Sequence, residues 1–326
     1  MIKGYSKQIS KPIKSELDIF NDLFKESIRS KVSLVDLVAR YIIRQKGKKI
    51  RPLLVLLSAK VAGGVTDRSY RGAVLVELLH TATLVHDDVV DNADKRRGVW
   101  SINALFKNKV AVLMGDYLLS RGLLIAMESK DYDILEVITN TVKRMSEGEL
   151  LQIQKTRKLN IDEETYFKVI SDKTASLLET CCEIGAMSAT NNSDYHNAMK
   201  HFGQSIGVAF QIKDDILDYE GTVKMIGKPV GGDIKEKKLT LPLIYSLNNV
   251  STKEASRIRK IIKNGSNKQN VKDVIQFVRE NGGINYALER AKSYSDKAKE
   301  ALSILPDSQS KIALEALVEF VIDRKN

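Results

Sequence analysis

Two short stretches of this chain repeat one pattern of carboxylates: Asp87-Asp88-Val89-Val90-Asp91 and, far downstream, Asp214-Asp215-Ile216-Leu217-Asp218. On a helix, Asp87 and Asp91 lie four residues apart and share a face, about 5–6 Å apart at Cβ, with Asp88 rotated to the side. Like charges at this spacing destabilise a helix by about 0.2–0.5 kcal/mol per exposed pair, and by more where water is excluded, so cations are the natural remedy. Hard oxygen ligands suit Mg²⁺ or Ca²⁺. Mg²⁺ is favoured because it takes one or two carboxylates and fills its octahedron with water and phosphate oxygens. A single stretch of this kind is ordinarily a solvated acidic helix end. Two features count against that here: apolar Leu84, Val85, Val89 and Val90 put the acids in a helix that must be largely buried, and Arg96-Arg97 follow closely. Anionic ligands beside a guanidinium pair suit a metal-bridged diphosphate.

The elements that must position these groups read as helices. Apolar residues recur at helical spacing, as in Leu17, Phe20, Leu23 and Phe24 or Leu118, Leu119, Leu123 and Ile125, and strand alternation is nearly absent. Breaks fall at 63–64, 95–101, 129–132, 158–163, 191–194, 220–237 and 264–270, where glycine, asparagine, serine and charge cluster. Asp162-Glu163-Glu164 and Ser193-Asp194 look like helix starts, and Gly282-Gly283 like a helix end. No break resembles an interdomain linker, so residues 1–326 read as one all-α domain.

The 326 residues are 43% hydrophobic and 29% charged, an ordinary globular composition. No apolar run approaches the roughly 20 residues of a membrane span, and the basic N-terminus lacks the apolar core of a signal peptide. The expected location is the cytoplasm. Adjacent Cys181 and Cys182 read as reduced, buried residues, since a mutual disulfide would be strained. A net charge of +11 fits a phosphorylated substrate, an anionic membrane or nucleic acid, and equally a lysine-rich style. No nucleic-acid motif supports a nucleic-acid partner.

Taken singly, the basic residues are ambiguous. Lys48 and Arg51 read equally as a basic helix start, His80 among Leu78, Leu79 and Leu84 as a core histidine, and Lys173-Thr174 as surface. Gly231-Gly232-Asp233 reads as a turn with a helix cap. Their joint order is more specific. With Gly47-Lys48-Lys49-Ile50-Arg51-Pro52, 77–80, Arg96-Arg97-Gly98, Gly115-Asp116, Lys173-Thr174, Gly227-Lys228-Pro229 and 238–242 around the two aspartate motifs, nearly the whole chain resembles the trans-type polyprenyl diphosphate synthases. The likeness is to their long-chain, octaprenyl- or heptaprenyl-type members.

The resemblance implies the terpenoid synthase fold, a helical bundle around a central active-site cavity across which the two motifs face each other. It implies Mg²⁺ on Asp87, Asp88, Asp91, Asp214, Asp215 and Asp218. Lys48, Arg51, His80 and Arg97 would hold isopentenyl diphosphate. Arg96, Lys173, Thr174, Gln211, Lys228 and Lys238 would hold the allylic diphosphate, with Asp87, Asp91, Lys173 and Asp214 central to catalysis. Small Ala82 and Thr83, one turn before Asp87, would leave room for a long product, as in enzymes that make quinone side chains. Val76, Leu79, Leu118, Leu119, Leu123 and Met127 are candidate further walls. A homodimer is implied, and peripheral membrane contact for product release stays open. So do a short-chain synthase and a noncatalytic subunit of a heteromeric synthase, although the latter would be expected to lose aspartates or anchors. A terpene cyclase has no need of a second diphosphate site at Lys48, Arg51 and Arg97.

Overall fold

The computed structural model describes residues 8–45, 49–96, 98–220, 231–264 and 267–323. Lys48, Arg97 and Lys228 lie outside these residues. The chain opens with a 3₁₀ turn, Lys11–Ile13, followed by α1 (Lys14–Ser27), α2 (Ser33–Arg44), α3 (Ile50–Ala62) and α4 (Asp67–Val90). A two-residue antiparallel hairpin, β1 (Lys95–Arg96) and β2 (Val99–Trp100), pairs Arg96 with Val99. Then come α5 (Ile102–Glu128), α6 (Tyr132–Lys158), α7 (Glu163–Ile170), a π turn (Ser171–Ala175), α8 (Ser176–Ala189) and α9 (Ser193–Glu220). The short α10 (Gly232–Lys235) leads to α11 (Leu241–Asn248), α12 (Thr252–Lys263), α13 (Lys268–Glu280), α14 (Gly283–Ala301) and α15 (Gln309–Asp323).

The all-helical reading of the sequence holds, and the expected breaks at 63–64, 95–101, 129–132, 158–163 and 191–194 fall at or between helix ends; those at 220–237 and 264–270 lie partly outside the described residues, and the first also contains α10. Asp162 caps α7 by accepting from the Thr165 amide, and Gly282, at φ +71°, closes the turn between α13 and α14. The first-motif helix begins well before Leu84, the first apolar residue read beside the motif. It starts at Asp67 under a Thr66–Ser69 capping box and passes through Gly72, where a side chain would strike Ile184 at 2.7 Å. Glycine at that point marks a close helix crossing instead of a break.

Two adjoining apolar clusters make the core. Helix α9 runs through both: Met199, Phe202 and Ile206 belong to the first, Ile212, Ile216 and Tyr219 to the second. Helix α4 is buried on nearly every side from Gly72 to Leu79, as expected of a central helix. Cys181 and Cys182 are free and fully buried, and burial pushes both thiols up, which makes them inert.

Helix α5 departs from the sequence expectation that nothing here could span a membrane. By length and composition it could cross one, and only a third of its most apolar stretch is buried. Leu105, Val112, Leu113, Leu124 and Met127 stand exposed along it. Met127 therefore faces outward and walls no interior space, whereas Val76, Leu79 and Leu118 are core contacts.

Candidate active site

Both aspartate motifs lie in the last turns of long helices, the first ending α4 and the second ending α9. A helix C-terminus carries about half a negative charge of its own. Six carboxylates at two such ends compound that charge, and cations relieve it. Asp87 and Asp91 are exposed, whereas Asp88 is buried. Partial burial pushes the Asp87 carboxyl up, with Asp91 and Glu149 adding repulsion against the pull of Arg96 and Lys173.

The middle aspartates are already engaged. Arg96 donates from Nε to Asp88 Oδ1 at 2.7 Å, while Asn103 Nδ2 reaches the Asp88 carbonyl at 3.2 Å, so the hairpin folds back over the end of α4. Arg96, expected on the allylic diphosphate, is thus paired with a motif aspartate in this structure. Asp215 accepts from Tyr166 Oη at 2.7 Å and from Gln211 Nε2 at 2.8 Å. Its burial, with Asp233 and Asp214 nearby, raises its carboxyl to about 8 even though both hydrogen bonds pull the other way. Gln211, also expected on the allylic diphosphate, here orients Asp215.

The third aspartate of the second motif does something else again. Asp218 accepts the backbone amides of Gly232 and Asp233, each at 3.0 Å, and so caps α10. The cap expected of Asp233 is therefore supplied by Asp218, with Gly231 turning the chain at φ +79°. The Asp233 carboxyl instead joins the acidic cluster, raised to about 6 by burial and by Asp218, with Lys238 opposing. Asp214 is the exposed carboxylate of this motif.

Lys173 and Thr174 sit half-buried on the π turn, a rare geometry that accumulates at functional sites. Lys173 Nζ lies 2.5 Å from Glu149 Oε2 and donates to Gln152 Oε1 at 2.7 Å. Lys238 pairs with Glu236 at 2.5 Å, and its ammonium is held up by that partner, with Asp233 and Glu149 contributing, against the opposing effect of burial. Glu149 thus acts on Asp87 from one side and on Lys238 from the other. Through Lys238 and Asp233 this cluster of charges extends to the second motif.

Glu149, Gln152 and Tyr166 went unread in the sequence. One signal was available: Gly148 inside a long helical stretch, where a Cβ would meet Asp172 Cβ and the Lys173 amide, each at 3.0 Å. Arg51 stands half-buried at the start of α3, and His80 half-buried on α4 two turns before Asp87. Lys49 turns away toward α1, where it bonds Asn21 and lies over the Phe20 and Phe24 rings. Ala82 is buried, and Thr83 donates its hydroxyl to the His80 carbonyl at 2.9 Å.

Among the described residues no three His, Cys, Asp or Glu side chains converge as a ready metal cage.

An all-helical bundle that gathers two acidic helix ends and a set of lysines into one cluster has the terpenoid synthase fold and the site of an isoprenyl-transferring enzyme. The polyprenyl synthetase family model matches residues 32–279, and the chain belongs to that family and is a prenyltransferase. It is 34% identical over 317 residues to an octaprenyl diphosphate synthase of Haemophilus influenzae, covering 97% of this chain and 96% of that one. Among solved structures it resembles a polyprenyl synthase from Caulobacter crescentus CB15 complexed with calcium and isoprenyl diphosphate (TM-score 0.89, 31% identity, 98% of each chain). It also resembles a geranylgeranyl pyrophosphate synthase from Bacteroides thetaiotaomicron (TM-score 0.83, 37% identity, 98% of this chain and all of that one).

Proposed function

We propose that this enzyme lengthens an allylic diphosphate by successive additions of isopentenyl diphosphate, with Mg²⁺, to a long all-trans polyprenyl diphosphate. The observation that carries the reading is the chain of charges running from Asp87 through Glu149 and Lys238 to Asp233 beside the second motif, with Lys173 paired to Glu149.

Asp87, Asp91 and Asp214 present the carboxylates suited to hold Mg²⁺, with Asp88, Asp215 and Asp218 beside them. Bound Mg²⁺ would neutralise the negative charge that develops on the departing diphosphate. Lys173 and Lys238 receive the same group by charge-assisted hydrogen bonds, aided by Arg96 once it exchanges Asp88 for phosphate oxygens. The allylic C–O bond breaks, leaving the carbocation. Isopentenyl diphosphate, anchored at Arg51 and His80, attacks it with its double bond, so that positioning supplies much of the rate. The released diphosphate takes the proton that leaves the condensation product. Residues outside the described structure, Lys48, Arg97 and Lys228, complete the two anchor sets by the family likeness. The apolar core around α4 keeps water from the cation.

Long product length is favoured by the small Ala82 and Thr83 below Asp87 and by the likeness to an octaprenyl synthase. The geranylgeranyl relative keeps a shorter product as the second reading. A homodimer is supported by the exposed residues Val112, Leu113, Leu124 and Met127 on α5, with Leu105 beyond the kink at Lys107. Lys109 and Asp116 punctuate this stripe, which suits a protein partner better than lipid. The water-borne diphosphate substrates and reduced cysteines suit the cytoplasm, with the membrane touched only when the product leaves. Incubating the purified protein with Mg²⁺, isopentenyl diphosphate and each allylic primer, then sizing the products, tests this reading. Failure to elongate any primer would refute it.

A further inference from the structure

The π turn that carries Lys173 is held from beneath by charges outside the reacting cluster. Arg144, Gly148 and Gln152 are spaced by four along α6 and so share one face, and all three meet this turn. Arg144 donates from Nε to Asp172 Oδ1 at 3.2 Å and from an Nη to Glu179 Oε1 at 3.0 Å. One guanidinium therefore bridges the residue just before Lys173 and the first turn of α8.

Glu179 is only 4% exposed, and its Oε2 has no hydrogen-bond partner among the described residues. Lys200 stands 3.9 Å from its Oε1, so Arg144 supplies most of its compensation. Asp172 also receives Lys168 of α7 at 3.1 Å, and its carbonyl accepts from Ser176 Oγ at the start of α8 at 2.6 Å. Gly148 on one side and Gly207 on the other let α6 and α9 close on the turn, leaving it little room to shift. A buried ion pair contributes little net stability, because desolvation offsets its attraction. What such a fork does supply is fixed geometry.

We propose that Arg144 is a positioning residue for the allylic diphosphate site: by tying Asp172 to Glu179 it fixes the π turn in the register that aims Lys173 at the diphosphate, without touching substrate. The proposal rests on the assignment of Lys173 to the allylic diphosphate made above.

Three readouts test it: calorimetric binding of inorganic pyrophosphate with Mg²⁺, KM for each substrate, and thermal melting. Arg144→Gln should raise KM for the allylic primer and weaken pyrophosphate binding about tenfold, while KM for isopentenyl diphosphate changes less than about twofold. In a Lys173→Ala background the same change should add less than about twofold, because the group it aims is gone. Arg144→Lys, able to reach one carboxylate at a time, should fall between. Asp172→Ala removes the acceptor for Arg144 while leaving the Arg144–Glu179 pair intact, and should reproduce the selective loss, which carries the test should Arg144→Gln fail to fold. Equal rises in both KM values, or full multiplication of the Arg144 and Lys173 effects, would overturn the proposal. A wild-type protein that neither binds pyrophosphate nor elongates a primer would remove the Lys173 assignment and the proposal with it.

Discussion

Gly207→Ala should cripple the enzyme far more than it destabilises the fold. A Cβ at position 207 would lie 2.6 Å from Ala175 Cα and 2.7 Å from its Cβ, whereas carbon atoms pack at about 3.5–4.0 Å. The π turn must then retreat by about 1 Å, because the atoms struck belong to its backbone and to a methyl with no rotamer to escape into. Overpacking of this kind costs about 1–3 kcal/mol. At about 2.1 cal/mol/K of unfolding entropy per residue, that lowers Tm by about 1.5–4 °C. Ala175 is two residues from Lys173, so the same 1 Å should cost about 100-fold in kcat/KM for the allylic primer. Steady-state kinetics beside calorimetry separates the two effects. Gly283→Ala serves as the control: its Cβ meets the Pro242 carbonyl at 2.1 Å, at the α11–α14 packing within the second core cluster. It should cost stability with little loss of kcat/KM. Near-normal allylic kinetics in Gly207→Ala, or equal kinetic losses in the two variants, would refute the link between the turn and the site.

Asp87→Ala and Asp214→Ala should each reduce turnover by orders of magnitude at saturating Mg²⁺; near-normal rates would rule out the metal role. Ala82→Phe should shorten the product distribution on chromatography while condensation persists, and an unchanged distribution would sink the chain-length assignment. Leu113→Asp, in the middle of the exposed α5 stripe, should convert a dimer to monomers in sedimentation. Stability without metal should fall as pH rises. The Asp215 carboxyl is raised to about 8 in the folded protein against about 3.9 when unfolded, so the folded state binds the extra proton between these values. The associated stability is fully present below about pH 4 and lost as pH passes through about 8. Melting in chelator from about pH 5.5 to 8.5 should show this fall, and Asp215→Asn should flatten it.

The helices and the two acidic ends were legible in the sequence because each is written locally. Apolar spacing marks the helices, and three carboxylates within one turn of an apolar helix stand out by themselves. The partners that give those carboxylates their individual duties come from distant positions. Tyr166 meets Asp215 across 49 residues, and Glu149 reaches Lys173 from another helix. Neither Tyr166 nor Glu149 differs in type from many surface or core residues, so only folding distinguishes them. The π turn was equally hidden, since Ser171 to Ala175 has no helix-breaking residue, and the two glycines that crowd it, Gly148 and Gly207, lie on other helices. Arg96 beside the first motif was legible as a neighbour, but its pairing with Asp88 depends on the hairpin folding back.

The three aspartates of the second motif look alike in one dimension and answer to different selective pressures in three. If Asp214 holds metal as proposed, it must remain an anion, so drift to asparagine there should be met with loss of function. Asp215 is buried and must offer one oxygen to Tyr166 and the other to Gln211, so asparagine of the same size keeps the shape but loses one of the two acceptors. Asp218 must offer two acceptor oxygens to two amides at once, a demand that asparagine, with one oxygen, meets only by half. Substitution patterns at these positions should therefore diverge among descendants of this chain, and an intact motif cannot be taken as three equivalent votes for metal binding.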